Sequence, residues 1–420
     1  MTVFDIDFFE GKPSKYETNY LHMVIEGEIV WPLISNTDMH YGKFIHEYVH
    51  YLQHITTLFG IKLCENFNNI FILNTDNCRK SDEIEIPLSH SDVHIKDFLS
   101  QFEKIKGDDN CLYVISEIEI KPQDITDAKN SHSAVNIGVY DFENGKALEC
   151  GFKFGYTCVI ETMAHLIQEM IFSELNHREV PYLSGIMIYK HYLQKEKILN
   201  QDKLIIITLC YCALFHDNPG VAYIHYLDFI QEHPHLTCFE IYKELINSKI
   251  KYKGENLSIK NIFISFLEEY ETKLEAALGC SLDYYHKVIE NCKIFFANDE
   301  NPFLEMVLNG EIADKSKIES VLLDNYGIPY IEAHNFHYTP NPPTIDISAS
   351  RGLELLMKRF YLKKPNTKCP WFHICEKNRY KETSLMTEEC LENQWDKKEK
   401  CLMTESIRYF GMNDKKFIQH

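Results

Sequence analysis

The stretch from Asp38 to Gly60 constrains the fold of this chain more than any other. Asn36 and Thr37 offer N-caps for a helix, and no proline interrupts the run that follows. On a helix, the apolar residues of this run cover most of the surface, and the polar residues fall within one sector of about 120°. A solvated face usually carries Lys, Glu and Asp, whereas this sector carries three histidines beside a single Lys43. A site that uses the histidines is therefore favoured over a solvated face. The sector contains His46, Glu47, His50, Gln53, His54 and Thr57.

Residues 46–50 of this helix read H-E-Y-V-H, an H-E-x-x-H pattern. Two histidines four positions apart stand about 6 Å apart along one helix face, so both imidazoles reach a single Zn²⁺. Glu47 is then placed to orient and deprotonate a metal-bound water. His54 lies about 12 Å from His46 along the axis, so three histidines cannot ligate one ion on a straight helix. Because only His46 and His50 bracket a glutamate, we predict that this pair binds the metal.

A catalytic zinc needs a third protein ligand and an open fourth position. Residues 157–172 are apolar almost all round, and their few polar side chains share one narrow helix face. A buried helix must satisfy such groups, and a metal partner would do so. We predict Glu161 as the third ligand, with His165 one turn on as an outer partner or substitute ligand. The alternative is a Glu161–His165 pair that is satisfied internally and structural.

The rest of the chain predicts an α+β fold that is mainly helical. Residues 20–34 indicate a strand or hairpin, and residues 111–120 and 135–140 indicate strands. Asn144-Gly145 marks a hairpin into residues 146–152. From Tyr156 onward the periodicity is overwhelmingly helical. We therefore divide a main domain, residues 1–350, into a β-containing part at 1–155 and a helical part at 156–337.

A proline-rich stretch at residues 338–343 separates this body from a tail of different composition. Residues 351–420 hold 15 Lys/Arg and 10 Asp/Glu, a net of 15 − 10 = +5, which leaves −19 − 5 = −24 for the rest. The tail is predicted to be a small basic module with a candidate second, structural metal site. Its cysteines lack a C-x-x-C pair, so an iron–sulfur cluster and unligated thiols are the alternatives. These cysteines are Cys369, Cys375, Cys390 and Cys401.

Composition narrows the partners and the compartment. A chain of net charge −19 repels polyanions, so nucleic acid is not expected as a partner except at the basic tail. No apolar stretch is long enough to span a bilayer, and the N-terminus lacks the pattern of a signal peptide. Fourteen cysteines without an export signal favour a reducing compartment. We expect a cytoplasmic protein with no membrane partner.

H-E-Y-V-H on a helix that follows a strand, with E-T-M-A-H at residues 161–165 on a later helix, resembles the zincin superfamily of metallopeptidases in its gluzincin arrangement. The resemblance covers residues 20–60 and 156–175. It implies a zincin-like catalytic domain, zinc as the cofactor, and peptide-bond hydrolysis by water that the glutamate of the motif activates. It also implies a strand at the cleft edge that pairs with an extended peptide substrate.

The chain departs from related patterns in two places. Gln53 and Thr56 stand where the metzincin subclass has Gly and His, so that subclass is out. Between His50 and Glu161 lie 110 residues, a longer separation than is common in gluzincins.

The leading hypothesis is therefore a cytoplasmic zinc endopeptidase with a protein or peptide substrate. Zinc would be held by His46, His50 and Glu161, with Glu47 as general base. No Gly-rich phosphate loop points to a nucleotide substrate. Two alternatives remain open: a zinc amidase that acts on a small substrate, and a non-catalytic, metal-stabilised sensor or adaptor.

Overall fold

A computed structural model shows a mainly helical α+β protein, which confirms the predicted fold class. It describes residues 15–17, 21–88, 93–111, 115, 117–141, 146–147, 151–333, 336–340, 344–361, 369, 372, 375, 388–390, 397 and 401–419. The helices are α1 Asp38–Ile55, α2 Leu58–Lys80, α3 Val93–Lys106, α4 Pro122–Ser131, α5 Tyr156–Glu169, α6 Ser184–Tyr192, α7 Asn200–Ala213, α8 Pro219–Glu232, α9 Cys238–Asn247, α10 Ile259–Leu278, α11 Tyr284–Ala297, α12 Pro302–Leu308, α13 Lys315–Lys317, α14 Asp324–Tyr326, α15 Ile345–Tyr361 and α16 Leu402–Tyr409.

The strands are short and belong to small, separate sheets. They are β1 Lys15–Glu17, β2 His22–Ile25, β3 Glu83–Ile86, β4 Glu117–Glu119, β5 Val135–Asp141, β6 Lys146–Ala147, β7 Phe152–Phe154, β8 Lys249–Tyr252, β9 Glu255–Ser258, β10 Tyr330–Ala333, β11 Phe336–Tyr338 and β12 Lys416–Gln419.

One four-stranded sheet, in the order β1-β2-β10-β11, lies against α1. Its central pair, β2 and β10, is parallel and sets His22 opposite Tyr330 and Ile25 opposite Ala333. The two outer pairs are antiparallel. The strand predicted within residues 20–34 is therefore β2, and its partner comes from about 300 residues later in the chain.

Helix α1 begins where the sequence predicts, at Asp38 with Thr37 as N-cap, but it ends at Ile55 rather than near Gly60. The Thr57 hydroxyl turns back to the Gln53 carbonyl and also accepts from the Gly60 backbone N–H, so Thr57 caps α2. A Cβ at Gly60 would lie 2.4 Å from the Cα of His54. Only glycine lets α2 start so close to the end of α1.

The apolar side of α1 is fixed by tyrosines as well as by packing. Tyr41, Tyr48 and Tyr51 are fully buried, and each hydroxyl donates to a backbone carbonyl between residues 312 and 327. A buried hydroxyl with a partner avoids the desolvation cost of an unsatisfied group and orients the helix.

Helix α5, the second predicted site helix, is buried along most of its length. It packs against α1 on one side and α7 on the other. The 110 residues between His50 and Glu161 contain α2 to α4 and the strands β3 to β7. The structure therefore closes this long separation in sequence by direct helix–helix packing.

The middle of the chain contains both predicted strands and an unpredicted helix. The strand predicted at 135–140 is β5, and the one predicted at 111–120 is reduced to β4 within the described residues. Asn144-Gly145, predicted as a hairpin turn, lies outside the described residues. The long helix α2 occupies a segment that reads as mixed, because burial against α10 outweighs its many residues of low helix propensity.

The C-terminal residues add elements to the main body. In α15 the Glu354 carboxylate hydrogen bonds with His22 of β2 at 2.8 Å, and both side chains are buried. Strand β12 pairs in parallel with β3. The Arg79 guanidinium donates to the Phe410 carbonyl at 2.8 Å. Residues 351–361 and 401–419 thus contact the first hundred residues of the chain.

Among the helices that the structure describes, none combines the length and apolarity needed to cross a bilayer.

Candidate metal centre

Three predicted ligands converge between α1 and α5. The Nε2 atoms of His46 and His50 lie 3.2 Å and 3.4 Å from the same oxygen, Oε2 of Glu161. The His46 and His50 side chains are 9% and 7% exposed, and that of Glu161 is 19% exposed. Two imidazole nitrogens and one carboxylate oxygen form the donor set of many catalytic zinc sites. The residues present therefore fit a zinc ion held by three protein ligands.

Gln53 aligns the second histidine and joins the two helices. Its side-chain oxygen accepts from Nδ1 of His50 at 2.8 Å, which fixes the tautomer that leaves Nε2 for a metal. Its amide nitrogen donates to the Ile160 carbonyl at 3.0 Å, one residue before Glu161. Gln53 is 1% exposed. The sequence places Gln53 in the polar sector but does not reveal this bridge.

The His50–Glu161 contact is strongly electrostatic in the metal-free protein. Burial alone would lower the pKa of His50, but the Glu161 carboxylate raises the pKa of His50 to about 9. The two histidines in turn hold the pKa of Glu161 well below its usual range, although burial opposes this shift. A proton on His50 and a metal ion therefore compete for the same nitrogen.

Glu47 lies beside this group without being one of its three convergent ligands. The side chain is 5% exposed, and its negative charge contributes to raising the pKa of His50. The structure thus places a buried carboxylate within electrostatic range of the ligands, as the H-E-x-x-H pattern predicts.

A stretch after α5 brings two unpredicted aromatic side chains to the site. The rings of His177 and Tyr182 lie 5.7 Å and 6.0 Å from the ring of His46, and 4.3 Å from each other. Burial raises the pKa of Tyr182, and the Glu161 and Glu47 charges raise it further, so its hydroxyl stays protonated. The irregular stretch that carries them has no periodicity that would have revealed them.

His165, predicted as an outer partner or substitute ligand, contacts His177. Their Nδ1 atoms are 3.0 Å apart, so one ring donates a proton that the other accepts. Burial and the neighbouring His177 lower the pKa of His165 to about 3, so it stays neutral. The structure places His165 next to His177 at the edge of the site.

His54, the third histidine of α1, is turned away from the ligands. Its Nδ1 lies 2.6 Å from the His50 carbonyl, and the Tyr156 hydroxyl lies 2.7 Å from its Nε2. Burial lowers the pKa of His54 to about 3, so a neutral ring bridges α1 to the start of α5.

The four tail cysteines lie outside this centre. Cys369 and Cys390 are buried, Cys375 and Cys401 are half-buried, and none of the four forms a disulfide. One further group of metal-binding type, on the outer face of α10 and α11, contains Glu271, His286 and Glu290.

Comparisons of the chain with known protein families, with curated proteins and with solved structures find no match. What the centre can do is therefore inferred from its own side chains.

Proposed function

We propose that the protein is a zinc-dependent hydrolase that cleaves peptide bonds in flexible protein segments or peptides. The observation that carries the proposal is the convergence of His46, His50 and Glu161, with the carboxylate of Glu47 beside them. A zinc ion held there would supply a Lewis acid for the attack of water on an amide carbonyl.

The protein side chains have complementary roles in this proposal. The Glu47 carboxylate accepts the proton of the attacking water and later gives it to the leaving nitrogen. The Tyr182 hydroxyl, which stays protonated, donates a hydrogen bond to the carbonyl oxygen as negative charge develops there. Gln53 keeps His50 in the tautomer that ligation requires.

The burial of the centre restricts the substrate. His46, Glu47 and His50 are each at most 7% exposed, so the surface of a folded protein does not reach them. An extended segment that enters between the helices satisfies this restriction. So does a small amide, which keeps the zinc amidase as the second candidate.

The deciding experiment uses the Glu47→Gln variant. The substitution is nearly isosteric and leaves the three ligands in place, so the variant should fold and bind zinc like the parent. Removal of the general base should slow hydrolysis by about 10²–10⁴-fold. Glu169→Gln is the matched control, because Glu169 lies in α5 but pairs with Lys203 at 2.8 Å. We expect that control to retain the activity of the parent.

Activity is measured on a proteome-derived peptide mixture, with products identified by mass spectrometry, and in parallel on a panel of small N-acyl amides. Cleavage of peptides by the zinc-loaded parent but not by Glu47→Gln supports the peptidase. Cleavage of the amides alone supports the second candidate. Equal cleavage by the parent and Glu47→Gln, or no zinc-dependent cleavage of either probe, overturns the hydrolase proposal in favour of a non-catalytic metal-stabilised protein.

A further inference from the structure

A second group of soft metal ligands lies near the C-terminus of the chain. Cys369 and Cys390 are each 6% exposed, and the backbone N–H of Cys369 donates to the Cys390 carbonyl at 2.8 Å. This hydrogen bond joins positions that are 21 residues apart in the sequence. Two of the four tail cysteines are therefore adjacent in the fold.

Cys375 and Cys401 share the same neighbourhood. Burial raises the pKa of the Cys375 thiol, and the sulfurs of Cys401 and Cys390 raise it further, while Lys397 lowers it. Such mutual effects require the groups to be close. Cys401 also immediately precedes α16, and a helix N-terminus favours a thiolate over a thiol. The Thr404 hydroxyl lies 3.6 Å from the Cys401 sulfur.

Two cations are buried beside these sulfurs. The Lys397 ammonium, in a residue that is only 6% exposed, lies 3.1 Å from the Cys390 sulfur. Arg359 is fully buried and interacts electrostatically with Cys369, although burial lowers the pKa of Arg359 to about 10. Both cations also have other interactions, so it is their position at the sulfurs that matters. Neutral thiols would not call for buried positive charge.

Thiolates that bind a metal do call for it. Four thiolates around one Zn²⁺, or around an oxidised four-iron cluster, leave an excess of two negative charges. Hydrogen bonds and cations at the sulfurs stabilise such centres. We propose that Cys369, Cys375, Cys390 and Cys401 bind a metal centre as thiolates, with Lys397 and Arg359 offsetting its negative charge.

The spacing of the sulfurs bears on which metal is bound. Among the described residues, no three of these sulfurs lie within 4.8 Å of one another. Four thiolates on one tetrahedral zinc ion, each at about 2.3 Å, would lie closer together than this. In an iron–sulfur cluster each cysteine binds a separate iron, so the sulfurs stand further apart. Both centres share thiolate chemistry, and elemental analysis separates them.

The first test measures metal in full-length protein that carries His46→Ala and His50→Ala, purified without oxygen. These substitutions remove the ligands of the first centre, so the metal that remains reports on the cysteines. We expect about one zinc per chain, or iron with acid-labile sulfide and visible absorption. Adding Cys390→Ser should abolish that metal. Adding Cys111→Ser, a half-buried cysteine outside the group, should leave it unchanged.

A second test uses the unmodified chain and so does not depend on how a serine variant folds. Alkylation with iodoacetamide, read by mass spectrometry, reports the reactivity of each thiol before and after the metal is removed. The half-buried Cys375 and Cys401 should be protected in the metal-replete protein and react at least ten times faster afterwards, while Cys111 changes little. Equal reactivity of Cys375 and Cys401 in both states, or a folded His46→Ala/His50→Ala protein free of metal, would overturn the proposal.

Discussion

The triad of His46, His50 and Glu161 and the group of four tail cysteines differ in what holds their ligands. The triad lies on two long helices, α1 and α5, whose opposite faces are buried. Its ligand atoms already lie within 4.8 Å of one another in the metal-free protein. The cysteines lie on short elements joined by single hydrogen bonds. A site for chemistry benefits from ligands that are fixed in advance, whereas a structural site can use the metal to complete its own fold.

The largest effect should come from removing a ligand, and it should stay within one region. His50→Ala is expected to weaken zinc binding at the triad by much more than the roughly 100-fold that loss of an outer partner costs. Metal at the cysteines should be unchanged, and Cys390→Ser should give the reverse pattern. Zinc and iron per chain, measured in both variants, check this. Loss of both metals from either variant would show that the two regions are not independent.

The pH should act on the triad and not on the cysteines. In the metal-free protein the pKa of His50 is about 9, against 6.5 for an ordinary histidine. A raised pKa stabilises the fold fully below pH 6.5, and this stabilisation is lost as the pH rises through 9. The free energy of unfolding should therefore fall by up to about 3 kcal/mol over that range. Urea midpoints at pH 6, 7.5 and 9 measure it, and Glu161→Gln should flatten the response.

Replacing Gln53 sharpens the idea that the triad is fixed in advance. Gln53→Met keeps the size of the side chain but removes its hydrogen bonds to His50 and Ile160. Zinc affinity should fall by about 10–100-fold, the usual cost of losing such a partner. Gln53→Glu keeps an acceptor for His50 and should recover part of the loss. Competition with a zinc chelator measures both variants, and unchanged affinity in Gln53→Met would contradict a positioning role.

The smallest effect is expected one layer further out. Tyr156→Phe removes the hydroxyl that lies 2.7 Å from Nε2 of His54 and leaves a buried nitrogen without that partner. The cost should be about 1–3 kcal/mol in the free energy of unfolding, with zinc affinity unchanged. Thermal unfolding and zinc competition of this variant measure the two quantities. A drop in zinc affinity would show that His54 also positions His50.

The sequence predicts the triad better than its surroundings, for physical reasons. Histidines four positions apart must share a helix face, so the juxtaposition of His46 and His50 follows from local geometry alone. Glu161 stands out because a carboxylate on an almost wholly apolar helix needs a partner. His177 and Tyr182 reach the site through an irregular stretch whose path depends on tertiary packing, which no local pattern encodes.

The same contrast holds for the fold. Helix α11 was predicted within its observed bounds, Tyr284–Ala297, because its apolar residues repeat with helical spacing. Helix α2 was missed because its many Asn and Thr residues favour turns, and only burial against α10 compensates. The end of α1 at Ile55 was missed because Thr56 and Thr57 return their hydroxyls to carbonyls of the last turn.

The pairing of β2 with β10 has a consequence for the order of events during synthesis. A ribosome releases the N-terminus first, so the helices that carry His46 and Glu161 emerge well before residues 330–333. Until then β2 lacks its central neighbour, and the carbonyls that accept from Tyr48 and Tyr51 have only just been made. A nascent chain thus carries every ligand of the triad before it can anchor the helix that presents them. The centre matures only when translation is three-quarters complete, which protects the emerging polypeptide from its own proposed activity.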